Sequence, residues 1–163
     1  GYEMPDFVPS TIHRISSTWA LATKPNFKPW PGRALIWEAS TPYLYARHSA
    51  DNRAILGGED EDIRDATLRD QKIGAKSQAI QSKFKQIYPD YDSEAEFAWS
   101  GFFGVTKDAM PLIGALPDHP SVFTAFGYGG NGITFSAMAA ALIAEALIGH
   151  ESPLLRHFRI DRD

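Results

Sequence analysis

The sequence predicts an α+β fold, a mixed and largely antiparallel sheet accompanied by two long helices. Three observations carry that expectation. Short segments rich in β-branched and aromatic residues recur between Ile12 and Gly57, with turn-forming residues between them. A stretch from about Asp65 to Ile87 places Ala66, Ile73, Ile80, Phe84 and Ile87 on one helical face. A second, alanine-rich stretch runs from Ile133 to Ile148 behind a glycine loop.

The elements follow in order. Residues 1–10 hold Pro5 and Pro9 and read as an irregular lead-in. Ile12 to Thr23 reads as a strand stopped by Lys24-Pro25, and Asn26 to Gly32, with Pro29 and Pro31, as a loop. Ala34 to Glu38, Tyr43 to His48 and Arg53 to Gly57 read as three strands of an antiparallel meander. The acidic run Glu59-Asp60-Glu61-Asp62 leads into the first helix, which Tyr88-Pro89-Asp90 stops. Glu59 and Asp60 suit the attraction of a cationic amine, but such a run after a strand reads first as a solvated turn. Residues 94–105 return to strand composition, Pro111 to Ala115 is short and apolar, and Val122 to Phe126 reads as a buried strand. Ala137, Ala139, Ala140, Ala141 and Ala144 make the last helix slim, which suits close packing against another element or domain. Simple burial is the first expectation for them, and the tail 150–163 ends polar.

Composition narrows the function. With 163 residues, 44% hydrophobic and 22% charged, the chain has the size of about one domain and an ordinary globular make-up. Its 16 basic against 20 acidic residues give a net charge of −4, which argues against a nucleic-acid partner. The absence of cysteine excludes disulfides, thiolate metal ligands and a cysteine nucleophile. The longest apolar run, Ile133 to Ile148, contains Thr134, Ser136 and Glu145 and is short of a membrane span. No basic, apolar leader opens the chain, so the cytoplasm is the expected compartment. The first methionine stands at position 4, which hints at residues upstream.

Other chemistry finds little support. The five histidines show no metal-ligand spacing, so no metal is expected. Ser82-Lys83-Phe84-Lys85 matches S-x-x-K but sits on the amphipathic helix, and no G-x-S-x-G is present. The four tryptophans are scattered and read mostly as core. Asp108, in Thr-x-Asp before a proline, reads equally as a reactive carboxylate or as a turn held by side-chain to backbone bonds.

The glycine loop Gly127-Tyr128-Gly129-Gly130-Asn131-Gly132 matches G-x-G-x-x-G between a strand and a helix. A dinucleotide fold needs a further parallel strand after that helix, and the remaining residues offer none. The loop has a physical use all the same. Its glycines leave backbone N–H groups uncovered, and the helix behind them favours negative charge. A tight turn with no ligand is the competing reading.

The order of three pieces carries a resemblance. Trp99-Ser-Gly with Thr106-Lys-Asp108, then Met110-Pro-Leu-Ile-Gly114, then Val122 to Ile133 resemble the carboxyl-terminal part of the FAD-dependent amine oxidoreductases, the family of D-amino-acid oxidase, glycine oxidase and monomeric sarcosine oxidase. Tyr43-Leu-Tyr-Ala-Arg47 and Ile55-Leu-Gly-Gly58 resemble the strand pair lining that family's substrate side. The resemblance implies a substrate-domain portion of a two-domain flavoprotein. Residues 1–120 would form the substrate-binding meander and helix, and 121–163 the strand, glycine loop and helix that return to the flavin-binding domain. An amino-terminal FAD-binding domain would be the missing partner, and the fragment alone would be inactive.

By the same resemblance, Gly127, Tyr128, Gly129, Gly130, Asn131, Gly132 and Ile133 would face the pyrimidine side of the flavin ring of FAD. Backbone donors there would stabilise charge that develops during hydride transfer. The substrate implied is an amine or amino acid held in a dry pocket. Its oxidation requires no dedicated acid or base, and no catalytic residue is singled out. Tyr43 is implied as a substrate residue, and Tyr45 shares its face by alternation. Cross-strand aromatic packing is the alternative for both. Arg47 on that face suits a carboxylate, or simply solvent. Phe103 stands where glycine oxidase-like sequences carry an arginine, which favours an amine or a bulkier N-substituted substrate. A stand-alone binding module without flavin is the rival reading, and a subunit completing a flavin site on another chain is a third.

Overall fold

The computed structural model describes residues 11–25, 30–150 and 152–162. The lead-in 1–10 and loop residues 26–29 lie outside them. The strands are β1 (His13–Thr23), β2 (Ile36–Trp37), β3 (Leu44–His48), β4 (Ala54–Glu61), β5 (Ala95–Thr106), β6 (Leu112–Leu116) and β7 (His119–Phe126). The helices are α1 (Ala66–Gln71), α2 (Ile73–Ile87) and α3 (Gly132–Leu147), with short 3-10 turns at Pro31–Arg33 and Pro153–His157. The α+β fold and both long helices are as expected. The first helix, however, is broken at Lys72, whose N–H turns back to the carbonyls of Arg69 and Asp70.

The chain divides into two compact units, residues 17–101 and residues before 17 with 102 onward. Residues 120 and 121 lie within β7, which pairs with β6 as a hairpin.

In residues 17–101 the sheet order is β2-β3-β4-β1-β5, and β1, β2, β3 and β4 pair antiparallel. Alternation sorts the side chains. Trp19, Leu21, Leu44, Ala46 and Leu56 point to one face, where Ile80 and Phe84 of α2 pack on them with Trp30 and Tyr91. Trp30 and Phe84 meet edge-on at 5.5 Å. Burial of each large side chain of this kind contributes about 1.5–3 kcal/mol. Ile80 and Phe84 are fully buried as the helical period predicts, whereas Ile87 is 43% exposed.

The acidic run departs from expectation. It is not a solvated turn, because β4 continues through Glu61. Between Trp19↔Gly58 and Ser17↔Glu61, two steps on β1 match three on β4, which is a β-bulge. Gly58 (φ 137°) and Glu59 (φ 60°) supply the bulge geometry. The bulge turns Glu59 and Glu61 toward α2. There Lys83 Nζ lies 2.6 Å from Glu59 Oε1, and Lys76 Nζ 2.7 Å from Glu61 Oε1. Lys76 Nζ also donates to the Glu59 carbonyl at 2.8 Å and sits 4.8 Å over the Trp19 ring. Glu59 is thereby buried with its charge matched.

In the other unit, β6 and β7 form a two-stranded ribbon that α3 packs against, with Ile113, Ala139 and Leu142 in its core. β7 is only half-buried at best, with Val122 43% exposed, against the expectation of a buried strand. Two further expectations fail in this unit. The tail is not merely polar, since Leu155 and Phe158 enter the core and the Ile113 N–H donates to the Phe158 carbonyl at 2.7 Å. The alanines of α3 are mostly exposed, with Ala137, Ala140, Ala141 and Ala144 uncovered by any described residue. Among the described residues no helix is long and apolar enough to cross a membrane.

Asp108 is a turn carboxylate. Its Oδ1 accepts the Met110 N–H at 3.1 Å, and Thr106 Oγ1 donates to the Met110 carbonyl. The Arg162 guanidinium then grips both carboxylate oxygens at 2.9 Å and reaches the carbonyls of Met110 and Pro111. That pairing holds the Asp108 carboxyl well below the ordinary carboxylate range.

Two outcomes are expected. A Cβ on Gly58 would lie 2.1 Å from the Tyr43 carbonyl oxygen, so Gly58→Ala should cost about 3 kcal/mol or more by denaturant unfolding. Gly101→Ala, whose Cβ meets only Thr18 Cγ2 at 3.8 Å, should stay within about 0.5 kcal/mol. Because the folded Asp108 pKa is depressed, its ionisation stabilises the fold above about pH 4. That stability is lost as pH falls toward the folded value. Asp108→Asn should therefore flatten the acid limb of a stability-against-pH profile while lowering stability at neutral pH.

Candidate functional site

Two constellations stand out, one in each unit. In residues 102 onward, the loop after β7 is tied to β5. Tyr128 forms an isolated antiparallel bridge with Val105, and the Gly129 N–H donates to the Gly104 carbonyl at 2.9 Å. The Tyr128 ring stacks on Phe135 of α3 at 6.4 Å, and partial burial raises its phenol pKa. Gly127 (φ 74°) and Gly129 (φ 54°) require glycine for their backbone shape. Gly130 does not. Its φ is not in the left-handed region, and a Cβ there would meet nothing within 4 Å.

α3 then opens without a lid. Asn131 occupies the N-cap position but makes no side-chain capping bond, and no acidic residue stands in the first turn. Ile133 is 92% exposed. The beginning of a 16-residue helix thus carries its positive dipole end with no side chain answering it. Gly127, Tyr128 and Gly129 line a shallow depression with Phe103, Gly104, Ala125 and Phe126. Phe103, expected on the substrate side, therefore stands with the glycine loop. The open Cβ positions at Gly129 and Gly130 and the uncapped start of α3 make a cradle that fits the flat, negatively polarised edge of a flavin ring.

In residues 17–101, the sheet face opposite α2 carries Tyr43, Tyr45 and Arg47, the first just ahead of β3 and the others on it. Tyr45 lies flat over its cross-strand partner Gly57, where a Cβ would approach the ring to 2.3 Å. The Tyr43 and Tyr45 centroids are 6.3 Å apart, and Trp37 stands 6.2 Å from Tyr43. The Tyr43 hydroxyl donates to Asp60 Oδ2 at 2.9 Å. Burial first, and then the Asp60 charge and that hydrogen bond, push the Tyr43 phenol well above its ordinary value. Tyr45 is raised by burial and by Asp60, against a lowering effect from Arg47. Arg47 is exposed and has no carboxylate partner among the described residues.

Sequence reasoning placed Tyr43, Tyr45 and Arg47 on one face, and the structure puts them along the face opposite α2. The same reasoning offers Asp60, together with Glu59, as an attractor of a cationic amine and ranks a solvated turn above that. Simple alternation from Leu56 would send Asp60 to the helix-covered face, and the bulge brings it to Tyr43 instead. Sequence reasoning missed Gly57 as the seat of Tyr45. The paired glycines in Ile55-Leu-Gly-Gly58 were the available signal. Among the described residues no group of three or more His, Asp or Glu side chains gathers to hold a metal.

Comparison with known proteins adds a family. The family model described as DAO, FAD dependent oxidoreductase, matches residues 4–146. The probable oxidoreductase OrdL of Haemophilus influenzae is 24% identical over 111 residues, 68% of this chain and 23% of that protein. The bifunctional protein ThiO/ThiG of a Nostoc species is 30% identical over 122 residues, 73% of this chain and 18% of that protein. Among solved structures, glycine oxidase from Geobacillus kaustophilus superposes with a TM-score of 0.73 at 19% identity, over 93% of this chain and 40% of that one. Iminodiacetate oxidase from Chelativorans sp. BNC1 gives 0.76 at 18% identity, over 91% and 40%. The chain thus spans a quarter or less of these curated relatives and two fifths of these structures.

Tyr43 should resist deprotonation in a near-ultraviolet tyrosinate titration, remaining protonated beyond the ordinary phenol range. Asp60→Asn should lower its midpoint by removing the charge, though not to the ordinary value, because burial remains. A midpoint unmoved by the substitution would refute the assigned contact.

Proposed function

This chain belongs to the FAD-dependent oxidoreductase family, and we propose that it is part of an enzyme that oxidises a C–N bond of an amine or amino acid. The single observation that carries the reading is the glycine loop with its open Cβ positions and uncapped helix. The bound flavin supplies acceptance of the hydride leaving the carbon that bears nitrogen. Gly127, Tyr128, Gly129, Gly130, Asn131, Gly132 and Ile133 would hold the flavin edge. Backbone donors at the uncapped start of α3, and its dipole, would stabilise negative charge accumulating there, at no cost in side-chain reorganisation. The same features explain why an otherwise unforced glycine stands at position 130.

The sheet face of the other unit would serve the substrate. Tyr43 and Tyr45 would wall the substrate and exclude water, and Arg47 would meet a carboxylate. Phe103, apolar beside the loop, offers no clamp for the carboxylate of a simple amino acid. An N-substituted substrate fits that environment better. Iminodiacetate, the compound after which one structural neighbour is named, is such a secondary amine. The exposed alanine face of α3 suits close packing against an FAD-binding domain, which this chain would need as its partner. The 163 residues alone would then be inactive.

Gly130→Val should leave thermal unfolding within about 2 °C, since its Cβ stands in open space. It should nonetheless sharply reduce flavin retained by the full-length protein, read from the visible spectrum. A loop that serves only as a turn would show no loss. Turnover of an amine by the 163-residue chain with added FAD would refute its expected inactivity.

A further inference from the structure

The acidic run at the end of β4 is split by the bulge into two chemistries. Glu59 and Glu61 face α2, where Lys72, Lys76 and Lys83 match their charge. Asp60 faces the other way and has no cation among the described residues. Its Oδ2 accepts a hydrogen bond from the Tyr43 hydroxyl, and its Oδ1 is buried without a hydrogen-bond partner. A half-buried carboxylate with one oxygen unanswered is costly to keep, and a ligand that brings a charged donor offsets the cost.

The neighbours fit a cation and no other charge. Because the Tyr43 hydroxyl donates to Asp60, its oxygen has only lone pairs left for a ligand, so it accepts from N–H and cannot donate to a carboxylate. The Tyr43 ring stands 6.2 Å from that of Trp37 and 6.3 Å from that of Tyr45, an aromatic surround of the kind that attracts ammonium groups. The opposite sign stands at the far end of the same face. Arg47 pairs with Ile55 in the β3–β4 register, while Asp60 lies past Gly58 at the other end. Four residue steps along the strand carry Tyr43 to Arg47, about 13 Å between Cα atoms.

We infer that the Asp60–Tyr43–Tyr45 end of this face takes an ammonium group distal to a carboxylate held at Arg47, so that the substrate class is an amino acid or N-substituted amine with a second, remote cationic nitrogen. This rests on the functional reading above and narrows it. The adjacent charges of a simple α-amino acid do not span the two ends.

Lysine and norleucine test it, since they differ only in the distal ammonium. In calorimetric titrations of the full-length protein, lysine should bind about tenfold or more tightly than norleucine. Asp60→Asn, which keeps size and the acceptor for Tyr43, should erase that preference without weakening norleucine. Tyr43→Phe should reduce it, and Arg47→Gln should weaken both ligands. Equal affinities, no binding of either, or a preference untouched by Asp60→Asn would overturn the inference. Flavin content, read from visible absorbance in the same samples, separates the two claims. Flavin without lysine preference sinks this inference alone, and lysine preference without flavin sinks the flavin reading.

Discussion

One extra residue in a strand decides what the sheet of residues 17–101 offers to a ligand. With unbroken alternation from Leu56, Asp60 would lie under α2 and both glutamates would stand among the tyrosines. The bulge at Gly58 and Glu59 inverts that assignment. It is possible only because Gly58 has no Cβ to strike the Tyr43 carbonyl oxygen. The inversion lets three lysines of α2 and its approach answer two buried or half-buried carboxylates, and it sends the third carboxylate to a face without lysines. Core packing and the chemistry of the open face are therefore settled at the same point of the chain.

Around that point the open face is built with little freedom. Gly57 makes a flat seat for Tyr45, and Asp60 fixes the direction of the Tyr43 hydroxyl. A side chain already held by packing and one hydrogen bond loses little entropy when a ligand arrives. Tyr43 and Tyr45 also show why two readings of the same residues need not compete. Tyr43 meets Trp37 of the neighbouring strand, Tyr45 covers Gly57, and the Tyr43 oxygen keeps its lone pairs for a ligand donor.

The second unit solves a different problem. Its ribbon and helix have a small core, and the tail completes it through Leu155 and Phe158 while Arg162 locks the turn at Asp108. With stability supplied there, the glycine loop and the start of α3 need no capping side chain. A helix end left uncapped next to glycines with open Cβ positions is mildly costly to the chain by itself. It is well suited to a flat anionic edge supplied from outside, the use proposed for it in a family that binds FAD.

Much of this protein was legible in its residue order. The periodicity of β1, α2 and α3, the proline and glycine punctuation, and the motif from Trp99 to Ile133 were enough for the α+β class and the flavoprotein family, because they depend on local spacing. Tyr43, Tyr45 and Arg47 could be put on one face for the same reason. The fate of Glu59-Asp60-Glu61, the seat at Gly57, the anchoring of the tail and the exposure of the α3 alanines depended on partners far along the chain. A bulge is defined by what the neighbouring strand does, and burial by what packs on top. Sequence spacing carries neither quantity, so only the tertiary structure determined which carboxylate met the tyrosines and which met the lysines.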